Sequence, residues 1–405
     1  MENTFKSYSL ENDIQLLLDN EFLDDYWLLR RVPELPVKSY YNPVLYDDPP
    51  YSPGGCTVLY DKEDKIFKCW YGIADSKKYY ARQPGAYRMC YAVSEYGIKW
   101  EKPKLGIIED RGTRENNIIF NNPGCVNKDY YEQDPKKRYK MLYISEASGS
   151  HTGLCAAFSP DGIHWHKNGG KDVEIIPGAN DTNNMAYYDP SIKKYVRFGR
   201  VNVISAVENE RNFGITMKCS EDIIRYRDTL GLTRIPKSKF PDYDDFIEYN
   251  EAEHYINNYL HIVPYEHAKY LRIGSITGCN RRIVRSESDD FLNWTIPELV
   301  IAPDELDTPR FYGITTCIYQ GMYIGLLQVL NSSGNKRYMG NIRNGEGDTI
   351  DVQLAFSRDG IRWERLANRP NFIPRGYIGS YDGGMILGSN IPIIEYGDDF
   401  AVNVK

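Results

Sequence analysis

Acidic residues stand at one recurrent kind of position in this 405-residue sequence, just before the short runs that would open new repeat units. Two carboxyl groups facing each other can cleave a glycosidic bond, because one protonates the leaving oxygen while the other activates water or attacks. Neighbouring acids and arginines would tune pKa values and hold sugar hydroxyl groups. Acids at such positions can equally cap turns. The candidates are Asp47, Asp48, Asp181, Glu251, Glu253, Asp307 and Asp382, with Arg200, Arg310 and Tyr312.

These side chains can act together only in a fold that brings the starts of several repeat units close to one another. A short sequence motif that recurs along the chain, called the phrase below, predicts such a fold. The phrase resembles Ser-x-Asp-Gly-x-x-Trp and occurs five times, with first residues 65, 61, 68 and 69 positions apart. A nearly constant period of this length, filled with short apolar or alternating runs, is typical of radially repeated β architectures. The copies are Ser94–Trp100, Ser159–Trp165, Ser220–Tyr226, Ser288–Trp294 and Ser357–Trp363.

Each copy of the phrase is predicted to form a turn. Asp at the third position can accept hydrogen bonds from the backbone amides that follow, and Gly at the fourth tolerates a positive φ. Trp at the seventh position would cover the edge between neighbouring blades, and four of the six tryptophans occupy that position. We therefore expect these Asp and Trp side chains to serve packing rather than catalysis.

The repeat predicts an all-β fold, a β-propeller of four-stranded blades with an axial pocket where the innermost strands begin. Counting phrases gives five full blades and a partial sixth, so six blades in all. Residues 37–405 are expected to form a single propeller domain whose last blade is partial. Residues 1–36 are expected to pack on the propeller or to close it.

The amino-acid composition limits the classes of molecule that this protein is expected to bind. The net charge is −7, with both signs interspersed, so no basic face suggests nucleic acid or an anionic membrane. The sequence lacks a recognisable secretory leader and any run of transmembrane length, which predicts a cytoplasmic protein. The 34 tyrosines offer flat faces for sheet packing and for sugar stacking. A carbohydrate is the expected partner, and the oligomeric state is not indicated.

No cofactor is expected. The six histidines show no metal-ligand spacing, and no phosphate-binding loop is present. An axial Ca²⁺ ion among the acids stays an option. The eight cysteines are scattered singly, which favours reduced, buried thiols over a disulfide framework or a zinc site.

The turn phrases, and the acids that open the units, resemble the glycoside hydrolase propellers of families 32, 43, 62, 68, 117 and 130. The chain is most similar to bacterial family-32-like glycosidases. This resemblance extends over most of Asp19–Asp399. The matching stretches are Phe22–Tyr26, Asn42–Leu45, Thr57–Asp61, Cys69–Tyr71, Trp100–Pro103, Asn116–Ile118, Arg138–Lys140 and Leu354–Trp363.

The resemblance implies three catalytic acids. Mapped by position, Asp48 would be the base or nucleophile, Asp181 the acid that orients and tunes, and Glu251 or Glu253 the proton donor. Those propellers have five blades, so the repeat count here predicts an extra blade near residues 198–283. Such relatives carry Pro-Trp-Glu after the acid of blade one, where this chain has Pro-Tyr-Ser at residues 50–52. They also continue with a further β segment beyond the region that matches residue 399.

Three functions stay open at this point. The leading one is a glycoside hydrolase that cleaves oligo- or polysaccharides with paired carboxylates in the axial pocket. The second is a non-catalytic propeller that binds carbohydrate or protein. The third is a sialidase-like enzyme, which requires a Tyr nucleophile and three clustered arginines, for which Arg200, Arg282 and Arg310 are candidates.

Overall fold

The computed structural model describes residues 14–23, 25, 27–28, 31–46, 51–81, 83, 85–145, 154–176, 184–207, 213–219, 257–264, 280–295, 297–304, 306–307, 311–331, 349–377, 379–396 and 399–404. Within these ranges the chain is almost entirely β-strand. Its helical elements are the five-residue α1 (Ser76–Tyr80) and two 3₁₀ turns, Pro135–Lys137 and Asn168–Gly170. No described helix is long and apolar enough to cross a membrane.

Blades one and two are antiparallel sheets built in the same order. In each, the strands follow one another from the innermost to the outermost, and in blade two the outermost position is shared by two short strands. The middle strands are buried on both faces because every blade lies between two neighbours. Blade one contains β1 (Tyr51–Asp61), β2 (Ile66–Asp75), β3 (Tyr87–Ser94) and β4 (Ile118–Phe120). Blade two contains β5 (Gly124–Lys128), β6 (Tyr139–Ile144), β7 (Leu154–Ser159), β8 (His166–Lys167) and β9 (Glu174–Ile176).

Blades three and four repeat this order, and blade three also carries a hairpin on its second strand. Blade three contains β10 (Met185–Asp189), β11 (Lys194–Val207), the hairpin strands β12 (Phe213–Cys219) and β13 (Asn257–Pro264), β14 (Asn280–Ser288) and β15 (Glu298–Ile301). Blade four contains β16 (Phe311–Tyr319), β17 (Met322–Asn331), β18 (Thr349–Ser357), β19 (Glu364–Arg365) and β20 (Asn371–Ile373). A final two-stranded sheet contains β21 (Gly388–Tyr396) and β22 (Asp399–Val404).

The innermost strands close into a ring. Contacts run from β1 to β5, β10, β16 and β21, and from β21 back to β1. Ile391 in β21 packs against the apolar clusters of blades one and two and of blades three and four, so it lies centrally. Asn390 and Ser389 hydrogen-bond to Thr57 Oγ1 (2.9 Å) and to the carbonyl of Cys56 (3.3 Å) in β1. The predicted all-β propeller of four-stranded blades is confirmed, with the two-stranded sheet in the fifth position.

The count of six blades is not reproduced among the described residues. Strands β11 and β14 pair directly with each other, from Tyr195 opposite Ser288 to Val203 opposite Asn280. The intervening hairpin is attached to the far end of β11 and inserts no blade between blade three and blade four. The third copy of the phrase, residues 220–226, lies outside the described residues. This copy was counted as a separate blade, although in sequence it lies between the hairpin strands β12 and β13 of blade three.

The predicted turns are confirmed in the second, fourth and fifth copies of the phrase. In the fifth, Asp359 Oδ1 accepts hydrogen bonds from the amides of Ile361 and Arg362, both at 2.8 Å, and Ser357 Oγ accepts one from Gly360. Equivalent carboxylate contacts recur in the second and fourth copies. Gly360 has φ +70°, and Phe291 takes +68° at the same position of the fourth copy.

The tryptophans of the phrase cover blade edges, as predicted. Trp363 of blade four meets Phe198 of blade three with ring centroids 5.4 Å apart. The carbonyl of Gly162 accepts indole hydrogen bonds from Trp165 of the same copy (3.0 Å) and from Trp70 of blade one (2.6 Å). Each such turn therefore ties its blade to the preceding one.

Neighbouring blades are also joined by a recurrent Tyr–Asp hydrogen bond. A tyrosine near the start of the second strand of one blade donates its hydroxyl to a fully buried aspartate at the inner hairpin of the preceding blade. The pairs are Tyr139–Asp61 (2.8 Å), Tyr195–Asp129 (2.7 Å) and Tyr323–Asp189. Lysines neutralise the first two carboxylates, since Lys128 and Lys68 contact Asp61 and Lys140 contacts Asp129.

The described residues before β1 contact both blades that flank the two-stranded sheet. Leu16 and Leu18 pack against the apolar cluster of blade four. The Asp19 carboxylate accepts two hydrogen bonds from Arg358 (2.7 and 2.8 Å). Leu45, just before β1, packs against the cluster of blade one.

Candidate active site at the mouth of the propeller

The first strand of every propeller blade starts at the same end of the axis, which we call the mouth. Here the mouth is marked by the first residues of the five innermost strands, which are Tyr51, Gly124, Met185, Phe311 and Gly388. Four of these strands, β1, β10, β16 and β21, directly follow segments that contain candidate site residues. The chain therefore enters these four innermost strands at the same end of the axis.

The ten candidates divide into two groups. Asp47, Asp48, Asp181, Glu251, Glu253 and Arg310 lie outside the described residues. Arg200, Asp307, Tyr312 and Asp382 are described, and their positions follow.

Arg200 and Tyr312 lie together at the mouth. Arg200 Nη1 donates a 3.0 Å hydrogen bond to the carbonyl oxygen of Tyr312, and its guanidinium carbon lies 5.3 Å from the centre of the Tyr312 ring. Arg200 is only 4% exposed. The pair joins β11 of blade three to β16 of blade four, and it sets a cation and an aromatic ring at the start of β16.

Asp382 belongs to the loop that precedes β21. Its carboxylate accepts a 2.7 Å hydrogen bond from Ser380 Oγ and forms an ion pair with Lys38 from the segment before β1. The Lys38 hydrogen bond lowers the pKa of Asp382, so the carboxyl group is ionised at neutral pH. This ion pair links the segments that lead into β1 and β21.

Asp307 lies in an ion-paired cluster with residues of the outer part of blade four. Its carboxylate oxygens accept hydrogen bonds from Nη1 and Nη2 of Arg365 at 2.7 and 2.8 Å, and its side chain is 2% exposed. The same carboxylate lies 3.1 Å from Nη1 of Arg369. Asp307 thus fixes the connection between β15 and β16.

A buried arginine near the start of β10 was missed by sequence reasoning. Arg197 Nη2 donates a 2.5 Å hydrogen bond to Asn184 Oδ1, and the Asn184 amide donates to Cys125 Sγ at 3.2 Å. Gly199 leaves room for this side chain, because a Cβ there would lie 2.5 Å from Arg197 Nη2. The only sequence signal was an arginine in an otherwise apolar strand run.

Cysteine chemistry does not contribute a nucleophile in this group. Loss of water around the Cys125 thiol raises its pKa to about 12, so the thiol stays protonated. The six cysteines whose side chains the structure describes are free thiols, of which Cys69, Cys90 and Cys155 are buried, as predicted, and Cys56, Cys125 and Cys317 are partly buried.

A second missed group lies at the mouth of blade one. The hydroxyl of Tyr51, the first residue of β1, donates to the Asp110 carboxylate. The guanidinium of Arg111 lies 4.8 Å from the centre of the Tyr51 ring and contacts Asp75 at 2.8 Å. Burial, followed by the Asp110 hydrogen bond, raises the pKa of Tyr51 to about 12. Asp110 and Arg111 sit in a stretch that reads as an ordinary loop in the sequence.

Two described acids at the mouth, Asp75 and Asp382, are held in their ionised form. Hydrogen bonds from the backbone amide of Lys78 and from the guanidinium of Arg111 lower the pKa of Asp75. The hydrogen bond from Lys38 lowers the pKa of Asp382. A general acid needs a raised carboxyl pKa, and every shifted carboxyl pKa among the described residues is a lowered one. Asp75 and Asp382 therefore act as hydrogen-bond acceptors at neutral pH.

Two other sequence hypotheses can be compared with the described residues. Arg200 lies opposite Ile283 in the β11–β14 pairing, whereas Arg282 lies opposite Val201. Since directly opposed residues share a face of the sheet, Arg200 and Arg282 point to opposite faces, which speaks against the arginine cluster of a sialidase. No group of three His, Cys, Asp or Glu side chains in the described ranges could hold a metal ion.

Comparison with known proteins gives similarity at the level of structure. The sequence matches no protein-family model and no curated protein. A glycosyl hydrolase from Bacteroides ovatus is 13% identical, with 91% of each chain covered and a TM-score of 0.46. A structure described as a glycoside hydrolase is 12% identical, covering 87% of this chain and 82% of its own, with a TM-score of 0.46.

A third similar structure belongs to glycoside hydrolase family 130, described as mannoside phosphorylases that include hydrolases of β-1,2 mannosidic linkages. It is 13% identical, covers 91% of this chain and 88% of its own, and has a TM-score of 0.45. At these identities and TM-scores, neither a substrate nor a catalytic residue transfers to this chain. The propeller fold is established by its own sheets.

Proposed function

We propose that this chain is a glycoside hydrolase that cleaves oligo- or polysaccharides in a pocket at the mouth. The observation that carries the proposal is the convergence of the innermost strands, whose starts follow the acid-bearing segments. An extended chain spans at most about 3.5 Å per residue, so Asp48 starts within roughly 10 Å of Tyr51 and Asp181 within roughly 14 Å of Met185. Two carboxyl groups so tethered to one end of the axis can face the same bond.

The hairpin of blade three supports a proton donor from the same end. Strand β11 continues past Arg200 to Val207, β12 pairs with this extension beyond the mouth, and β13 pairs with β12. Glu251 and Glu253 precede the first residue of β13, Asn257, by only a few positions. In the proposed reaction one of them protonates the glycosidic oxygen, and Asp48 attacks the anomeric carbon or activates water. Asp181 orients and tunes this pair.

The described residues supply groups that would hold the sugar. Arg200 and Tyr312 present a cation and an aromatic ring at the start of β16. Tyrosines on the segments before β1 and β21 are open to solvent, with Tyr40 96% and Tyr377 88% exposed. The Lys38–Asp382 ion pair ties these two segments together. Exposed tyrosine rings can stack on the apolar faces of sugar rings while their hydroxyls meet sugar hydroxyls.

The test is hydrolysis of a panel of aryl glycosides and plant or algal oligosaccharides by the wild-type chain and by Asp48→Asn. The matched control is Glu115→Gln, which removes one charge from an exposed ion pair with Lys104. We expect turnover that is lost at least about 1,000-fold in Asp48→Asn and kept in the control. If turnover is unchanged in Asp48→Asn, with the fold intact by circular dichroism, Asp48 is not the base or nucleophile.

A non-catalytic carbohydrate-binding propeller is the second candidate. The observation that favours it is that the described groups at the mouth, the ionised Asp382 and the Arg200–Tyr312 pair, are suited to hold sugar hydroxyl groups. The same panel separates the two functions. Saturable sugar binding without turnover by the wild-type chain would favour the binding protein.

A further inference from the structure

A cavity of about 310 Å³ lies between the outer strands of blades three and four. Its lining contains the apolar residues Val300, Ile301 and Ala302, at and just after β15, and Trp363 of the fifth turn phrase. The lining also contains the charged residues Asp304, Arg365 and Arg369, which form its polar side. We call this space the rim cavity. Its size is at the lower end of the range for small-molecule pockets.

The polar side of the rim cavity is an array of ion pairs. Arg369 Nη1 contacts Asp304 Oδ1 at 2.5 Å, and Nη2 of the same arginine contacts the other oxygen of Asp304. Arg365 holds Asp307 behind them. Asp304 is 50% exposed, so its carboxylate also faces solvent. Two arginines and two aspartates cancel in charge while offering both donors and acceptors in fixed positions.

The backbone holds Arg369 in a specific place. Asn368 and Arg369 have φ values of +62° and +44°, a conformation that L-residues with side chains rarely adopt. The Arg369 amide donates a 3.0 Å hydrogen bond to the carbonyl of Leu366, which closes this turn. Such conformations cost free energy and persist only where the surroundings fix them. The turn delivers the guanidinium to Asp304.

We propose that the rim cavity binds a neutral sugar ring. A pyranose carries hydroxyls around its ring, suited to the paired carboxylates and guanidinium groups that make up most of the cavity surface, and C–H groups that can contact Trp363. The cancelled charge disfavours a uronate or a sugar phosphate, which would require unpaired cations. The proposal goes beyond the hydrolase function and does not depend on it.

The site also adjoins the mouth. The guanidinium carbon of Arg365 lies 5.5 Å from the ring centre of Phe311, the first residue of β16. A sugar in the rim cavity would therefore lie beside the strand that carries Tyr312. This position suits one unit of a longer chain whose reacting bond lies at the axis.

The experiment titrates methyl β-D-glucopyranoside, methyl β-D-galactopyranoside and methyl α-D-mannopyranoside, with methyl β-D-glucuronide as the charged probe. Saturation-transfer NMR and tryptophan fluorescence report on binding to the full chain. We expect saturable binding of a neutral glycoside on the order of millimolar, weakened at least about tenfold by Asp304→Ala and by Arg369→Ala. Asp304→Asn and Arg369→Lys keep the shape in case the alanine variants fail to fold. Trp363→Phe should remove the fluorescence response.

The control variants are Lys104→Ala and Glu115→Ala, an exposed ion pair of blade one outside the cavity. Sugar binding that is unchanged in all rim-cavity variants would place the sugar elsewhere and overturn the proposal. The same holds if no neutral glycoside binds, or if the glucuronide binds much more tightly. Turnover of aryl glycosides, measured in parallel, reports on Asp48 and so distinguishes failure of this proposal from failure of the proposed hydrolase.

Discussion

The hydroxyl of Tyr195 in blade three donates a 2.7 Å hydrogen bond to the carboxylate of Asp129 in blade two. Asp129 is also 2.9 Å from Lys140 Nζ, and both charged side chains are almost fully buried. A buried carboxylate is costly unless its hydrogen bonds are made, so this contact fixes how the two blades meet.

Removing the hydroxyl should therefore weaken the joint between blades. Tyr195→Phe is expected to lower the free energy of unfolding by about 1–3 kcal/mol, because Asp129 loses a buried donor. Urea unfolding monitored by tryptophan fluorescence measures the change. Tyr46→Phe, at an exposed tyrosine, is the matched control and should shift the free energy by less than about 0.5 kcal/mol. Equal effects in the two variants would contradict a structural role for the Tyr195 hydroxyl.

Substitution of two glycines by alanine should distinguish the cost of backbone strain from the cost of a steric clash. Gly162 has φ +79°, and a Cβ there would lie 2.7 Å from Cζ2 of Trp70, whereas Gly169 has φ +64° with nothing within 4 Å. Gly169→Ala should cost about 1 kcal/mol for the backbone alone. Gly162→Ala should cost about 1–3 kcal/mol more, because the inserted methyl displaces the Trp70 ring. Thermal and urea unfolding measure both, and similar losses would mean that the ring moves freely.

The turn phrases should make the fold sensitive to acid. Burial opposes ionisation of Asp161, Asp290 and Asp359, but hydrogen bonds outweigh it and lower each pKa to about 2, from 3.8. A folded pKa below the unfolded one stabilises the fold fully above about pH 4, and this contribution is lost as the pH falls towards about 2. The urea concentration at the midpoint of unfolding should therefore fall as the pH is lowered from about 4 to about 2.

The triple Asn variant at these three positions tests the origin of the acid effect. Asn keeps an oxygen acceptor for the backbone amides but does not titrate. Its urea midpoint should be lower than that of the wild type at neutral pH and should fall less steeply below about pH 4. An acid profile as steep as that of the wild type would assign the effect to other carboxyl groups, such as Asp61.

Arg200 gives a prediction for the mouth. Arg200→Met keeps much of the side-chain volume and removes the donor to Tyr312 and the cation beside its ring. We expect the affinity for the sugar substrate to fall about tenfold or more, with KM changing more than kcat, because the residue binds rather than reacts. Arg362→Met, at a side chain that is 90% exposed, is the control. If Arg200→Met lowers the free energy of unfolding but leaves KM unchanged, Arg200 serves packing and not substrate binding.

The parts of the fold predicted from the sequence are those whose causes are local. The Asp359 carboxylate bonds to amides two and three residues ahead, so the phrase alone was enough to predict its turn. The phrase marks the turn after the third strand of a blade, because Ser94, Ser159, Ser288 and Ser357 end β3, β7, β14 and β18. It failed as a count of blades, because the copy at 220–226 falls within the excursion between β11 and β14.

The Tyr–Asp bonds could not be predicted, because their partners lie 66 to 134 residues apart and both residue types are common. The candidate site shows the same limit. Arg200 and Tyr312 were each selected by position, but their contact across 112 residues was not foreseen. Asp307 was selected as an acid before a strand, and the structure engages it with Arg365, whose partner no local pattern indicates.

The hydrogen bond from Asn390 to Thr57 spans 333 positions of the chain. Loop-closure entropy makes such remote contacts slow to form, so the ring should close late in folding. Before β21 is in place, blades one to four are an open arc with an apolar face at each end, bearing Tyr71 and Ile73 on one side and Ile324 and Leu354 on the other. Two such arcs could join end to end, which makes the moment of closure the step most exposed to misassembly.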